Sequence, residues 1–141
     1  MAGLATKETN RSVDNFISQI DNASKQEDSK IILELLTKVT GQKPKVWGND
    51  KAPDFLIGFG KYNYTRKGSK EEFEWFNVGF APRKSKMTVY LTFDINAETE
   101  LLKQLGKCKW GKGCLYINKV ADIDLAILEK LVSKSKTAKW H

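Results

Sequence analysis

The sequence predicts an α+β fold: two N-terminal helices, an antiparallel meander, then helix, strand and helix in a single compact domain. Two observations carry this reading. Apolar residues recur at helical spacing up to residue 41 and again beyond residue 96, and the stretch between is rich in aromatic and β-branched residues cut by polar turns. A length of 141 residues supplies one core and is too short for two.

Residues 1–10 are small and polar without periodicity and are expected to be flexible, so the domain is placed at 11–135. In "SVDNFISQIDN", Val13, Phe16, Ile17 and Ile20 share one face of a helix capped by Ser12 and running to Asn22. A second helix starts near Glu27 or Asp28, buries Ile31, Ile32, Leu35, Leu36 and Val39, and stops at Gly41. Pro44 and "KVWGNDKAP" read as a loop closed by Pro53.

Three strands follow, "DFLIGFGKYNYTR", "EFEWFNVGFAP" and "KMTVYLTFDI", joined by the turns "KGSK" and "RKSK". In the third, Met87, Val89, Leu91 and Phe93 alternate with Thr88, Tyr90, Thr92 and Asp94, so one face meets the helices and the other is wetter. "AETELLKQLG" carries a helix capped by Asp94 or Asn96, with Leu101, Leu102 and Leu105 inward and Gly106 as its end. "CLYIN" is a short strand with Cys114 and Tyr116 on one side and Leu115 and Ile117 on the other. "DIDLAILEKLVSKS" is a last helix headed by Asp122, with Ile123, Ile127, Leu128 and Leu131 on its apolar side; residues 136–141 read as a flexible tail.

Composition narrows the function classes. With 40% hydrophobic and 29% charged residues the chain fits the ordinary globular class rather than a disordered one. The longest apolar runs, "DFLIGFG" and "IILELL", fall well short of the roughly 20 residues a membrane span needs. "MAGLATKETNRS" has no secretory core, so a cytoplasmic location is expected, and there Cys108 and Cys114 stay thiols. Two cysteines and the lone His141 do not assemble a zinc site, and no metal or cofactor is expected. The cysteines are also the only nucleophile candidates, and His141 lies too far along a tail to serve as their base; no enzymatic activity is expected.

A net charge of +7 favours an anionic partner. In "GKCKWGKGCLYI" (106–117), Gly111 and Gly113 permit a turn with inward N–H groups, and Lys107, Lys109 and Lys112 add charge around such a nest. The same stretch reads more simply as a helix-to-strand surface turn whose glycines relieve backbone strain and whose lysines are solvated. It is not a nucleotide-hydrolysing P-loop, because it leads into a strand rather than a helix. Trp47, Tyr62 and Arg66 would add an aromatic wall and a cationic rim. The candidate ligand-binding set is therefore Trp47, Tyr62, Arg66, Lys109, Lys112 and Tyr116, for a small anionic ligand or an acidic protein surface. The second reading is single-stranded nucleic acid on "KYNYTRKGSK", with Tyr62 and Tyr64 stacking bases and Arg66 and Lys67 meeting phosphates. Nothing in the sequence sets an oligomeric state.

The run "LGKCKWGKGCLYINKVADIDLAILEKLV" resembles the C-terminal signature of the YdhG-like family, a bacterial domain of unknown function, and "DFLIGFGKYNY" and "VGFAPRKSKMTVYLTF" resemble its central sheet. The resemblance covers residues 12 to 135 and implies an antiparallel sheet flanked by helices. One branch of the family is linked to frataxin-like iron handling. Hard iron binding prefers clustered carboxylates or histidines, and here the first helix offers only Asp14 and Asp21, so that role is disfavoured.

Overall fold

The structure, a computed structural model of the chain, describes residues 7–9, 11–49, 52–65, 68, 70, 72–83 and 86–135. Its elements in chain order are β1 (Lys7–Glu8), α1 (Val13–Ser18), α2 (Ala23–Thr40), β2 (Lys45–Asn49), β3 (Ala52–Phe59), β4 (Tyr62–Thr65), β5 (Glu72–Trp75), β6 (Val78–Pro82), β7 (Met87–Leu91), α3 (Thr99–Leu105), β8 (Lys109–Trp110), β9 (Cys114–Ile117) and α4 (Leu125–Ser135). The fold is α+β, as the sequence predicts. Seven strands form one antiparallel sheet in the order β1-β2-β3-β6-β7-β9-β8, and β4 and β5 pair separately. Among the described residues no helix is long and apolar enough to cross a membrane.

Side-chain caps set where the helices begin. Ser12 Oγ accepts the Asn15 N–H at 3.2 Å and opens α1. Helix α1 ends at Ser18, before Asn22, because Asn22 is itself the cap of α2: its Oδ1 accepts the Lys25 N–H at 2.9 Å. The second helix therefore starts earlier than its acidic residues suggested. It ends as expected at Gly41, in the left-handed region at φ 66°. Ser29, Ile32 and Leu36 form its buried line. Ile31, expected inward, is 38% exposed because it lies about 100° around the helix from Ile32.

The strand pattern is finer than the expected meander. "KVWGN", expected as loop, is β2, paired to β3 through Val46↔Ile57 and Trp47↔Leu56, and its Gly and Asn accompany a register shift beyond Trp47. Within the segment expected to be flexible, Lys7 and Glu8 pair with Gly48 and Trp47. Each of the two long aromatic segments breaks in two, at Gly60 (φ 73°) and at Asn77. There the Asn77 N–H donates to Phe59 O at 3.1 Å, and a side chain at residue 60 would collide with the Asn77 amide. The tip beyond this bend is the β4–β5 ribbon. Short β8, unforeseen, pairs Lys109 with Tyr116 and Trp110 with Leu115. Asp124, not Asp122, heads α4, accepting the Ala126 N–H at 2.9 Å, while Asp122 sits in a preceding 3-10 turn.

Period-two alternation sorts the strands between two cores. Ile57, Phe59, Phe80, Val89, Leu91, Leu115 and Ile117 face the helices and pack with Ile32, Leu36, Leu128 and Leu131. The opposite face carries a smaller cluster of Trp47, Leu56, Phe76 and Ala81, flanked by Trp75 and Tyr90. Glycines make room for it: a side chain at Gly58 would meet the Trp47 ring at 2.7 Å, and one at Gly79 the Phe76 ring at 2.9 Å. Across the fold, Asp28 Oδ2 of α2 accepts the Val120 N–H at 3.1 Å, tying residues 92 positions apart.

Candidate functional site

Of the six residues selected from the sequence, the five that are described do not converge. Trp47 is fully buried, edge-on to Phe76 with ring centres 5.5 Å apart, so it is core rather than the wall of an open site. It lies on β2, and Lys109 on β8, with β3, β6, β7 and β9 between them; five strand spacings amount to about 24 Å. Tyr62 belongs to the separate β4–β5 ribbon, its ring 6.2 Å from that of Tyr64. Arg66 and Lys67 lie outside the described residues. Tyr64 is buried, which removes the two-tyrosine platform on which the nucleic-acid reading stood.

Lys109, Lys112 and Tyr116 do gather, at the β8–β9 edge. Lys109 and Tyr116 are directly paired and share a face, Tyr116 is 37% exposed, and the turn lysine Lys112 is exposed. Leu115 and Ile117 are buried beneath, as expected. The anion nest, however, is not built as expected. Neither Gly111 nor Gly113 has a positive φ, and the Gly111 N–H closes the hairpin onto Cys114 O at 2.9 Å. Cys108 and Cys114 are free and partly buried, and burial pushes both thiols up, away from reactive thiolate. Tyr116 is also pushed up, chiefly by the charge of the neighbouring Cys114. Among the described residues no three His, Cys, Asp or Glu side chains form a group able to hold a metal ion.

A better-formed site lies elsewhere. A cleft of about 800 Å³ opens between α1, the start of α2, β3 and the end of β6. Its size is that of a small-molecule site. Three cations line it: Arg11 just ahead of α1, Lys25 in the first turn of α2 and Arg83 just past β6. Among the described residues Asp21 is the carboxylate in the lining, Phe16, Ile20, Phe55 and Pro82 supply apolar wall, and Asn15 and Gln19 supply amides.

The cations are braced by their surroundings. Arg83 donates from one guanidinium nitrogen to Phe55 O at 3.2 Å and from the other to the Tyr90 hydroxyl at 3.1 Å. The Lys25 ammonium donates to the Arg83 carbonyl. The Arg11 guanidinium lies 4.4 Å from the centre of the Phe55 ring, a cation–π distance. Guanidinium groups held in this way recognise carboxylate and phosphate oxygens at low entropic cost.

Sequence reasoning missed this cleft because its cations come from positions 11, 25 and 83, with no spacing to join them. One signal was present. The chain has only three arginines among its 24 basic residues, and two of the three, Arg11 and Arg83, line the same cleft. No protein-family model, curated protein or solved structure matches the chain.

Proposed function

We propose that the protein is a non-enzymatic, cytoplasmic binding domain for a small anionic ligand, and that the cleft of Arg11, Lys25 and Arg83 is its binding site. The observation that carries this reading is the convergence of three cations, two of them arginines, on one cleft beside an apolar wall. The high-lying thiols and the overall charge of +7 favour binding over covalent chemistry. Cysteines kept as thiols suit a reducing compartment. Membership of the YdhG-like family belongs to the same proposal. Its support is the succession of α3, a glycine- and lysine-rich turn, the "CLYI" strand β9 and the helix α4 that follows "DID".

The test is thermal unfolding with inorganic phosphate, acetate and citrate. A ligand that binds only the native state raises the melting temperature, by an amount that grows with concentration. Arg11→Gln is expected to abolish the rise and Lys109→Gln to leave it. A rise lost in Lys109→Gln and kept in Arg11→Gln would move the site to the β8–β9 edge. Absence of any rise at millimolar concentrations of all three anions refutes the proposal.

A further inference from the structure

We infer that the β8 edge of the sheet is a docking strand for an extended, acidic peptide segment of a partner protein. This edge shares no residue with the cleft and is independent of it. Ladder geometry is the first support. The Gly111 N–H donates to Cys114 O at 2.9 Å, so by antiparallel alternation Lys109 bonds to Tyr116 while the Trp110 N–H and C=O point away from β9. Strand β8 ends the sheet order, and among the described residues no further strand meets those groups. Exposed apolar surface is the second support. Of the three large hydrophobic side chains exposed among the described residues, Ile31, Trp110 and Tyr116, two stand on this hairpin, and Trp110 is 42% exposed. Its ring is held in place by a bond from Nε1 to Asn96 Oδ1 at 3.1 Å, which lowers the entropy lost when a partner packs on it.

Charge selects the occupant. Lys107 and Lys109 lie before and in β8, and Lys119 lies two residues past the end of β9; all three are exposed, and their side chains form no ion pair among the described residues. Lys107 meets Asp122 through the backbone, N–H to O at 3.0 Å. Lysine beside an open edge repels a basic strand, including the β8 of a second copy with its own Lys109, and admits an acidic one. The side chains of an added strand alternate between faces. A residue opposite Trp110 shares the face of Trp110 and Leu115, and its neighbours share the face of Lys109 and Tyr116. Apolar residues alternating with glutamate or aspartate therefore suit both faces. The same alternation disfavours single-stranded nucleic acid, because Trp110 and Tyr116 lie on opposite faces and make no common stacking platform.

Titration calorimetry and amide hydrogen exchange of the full chain with a capped peptide of alternating glutamate and valine test this. The peptide is expected to bind and to slow exchange at the Trp110 amide. Lys109→Glu is expected to weaken it about tenfold, whereas Lys43→Glu, an equal charge change at an exposed position between α2 and β2, leaves it unchanged. Methylating every backbone nitrogen of the peptide removes its ladder donors at constant charge and is expected to weaken binding about tenfold. Equal affinity for the methylated peptide, or unchanged exchange at Trp110, overturns strand addition. Oligothymidylate bound more tightly than the peptide, or an unliganded dimer that the peptide dissociates, overturns the assigned occupant. Failure of the peptide to bind overturns the docking strand itself.

Discussion

The hydroxyls of Thr92 and Ser135 lie 3.0 Å apart in the core, 43 residues apart in the chain. Both also bond to the Asn77 carbonyl, at 2.8 and 2.9 Å, and Ser135 Oγ accepts the Thr92 N–H at 2.8 Å. The last turn of α4 is thus fastened to the bend where the chain enters β6 and to the exit of β7. Ser135→Ala removes three of these links at a fully buried position and is expected to destabilise the fold by about 1–3 kcal/mol. Urea unfolding reads this directly. A loss below about 0.5 kcal/mol would show that the network adds nothing beyond packing.

Glycines 106 and 111 should respond in opposite ways to alanine. Gly106 has φ 120°, and a side chain there would collide with the Asp122 carbonyl, so Gly106→Ala is expected to cost at least about 2 kcal/mol. Gly111 has no positive φ and only the Tyr116 hydroxyl near it, at 3.9 Å, so Gly111→Ala should stay within about 1 kcal/mol of the parent. Exposed Lys112→Ala should stay within about 0.5 kcal/mol. Comparable losses for the two glycines, by denaturant midpoint, would contradict the backbone geometry described.

How far the sequence was legible follows from where each signal was local. The caps at Ser12 and Gly41 are local and appear where expected, and Val89 and Leu91 join the helix-facing core; the opposite face is not the wetter one expected, because a second apolar cluster covers that side of the sheet and Thr88 and Thr92 are buried. Strand β2 was not legible, because Gly48, Asn49 and Pro53 look like loop punctuation until β3 is known to pair beside them. Nor was the bend at Gly60, whose glycine is matched to Asn77 across the hairpin rather than along the chain. Of the candidate site, the sequence offered the anion-friendly charge but grouped residues such as Trp47, Tyr62 and Lys109, which the structure places on separate strands. Trp47 and Tyr62 were selected for exposure beside glycines, whereas Gly58 serves to seat the Trp47 ring against the sheet.

That seat is itself testable. A methyl at residue 58 would stand 2.7 Å from the Trp47 ring, so Gly58→Ala must shift a fully buried indole and is expected to cost about 1–3 kcal/mol. Tryptophan fluorescence should register the displaced ring in the native state. An unchanged spectrum together with unchanged stability would refute the close packing of this face.

Both thiols should react slowly. Burial raises Cys108 and Cys114 above the range of a free thiol, so their alkylation by iodoacetamide should lag free cysteine at neutral pH and accelerate only at higher pH. The stability consequence has a definite sign. A thiol raised in the folded state contributes fully below its unfolded pKa, and stability is lost as pH climbs from there through the folded value. Replacing both cysteines with alanine should therefore flatten part of the alkaline loss of melting temperature. Alkylation as fast as free cysteine at neutral pH would show activated thiols and reopen covalent chemistry.

The bond from Val120 to Asp28 Oδ2 fixes an order of assembly. Closing a loop of 92 residues costs about 2 kcal/mol more than closing one of ten, so this contact forms only after much of the chain has collapsed. Strand β9 and helix α4 lie far along the sequence from α2, yet Leu115, Leu128 and Leu131 belong to the same apolar cluster as Ile32 and Leu36. Without them the sheet ends at β7 with an unpaired edge and α2 lacks its neighbour. The chain thus has no autonomous half, because elements from both ends of the described residues complete one apolar cluster.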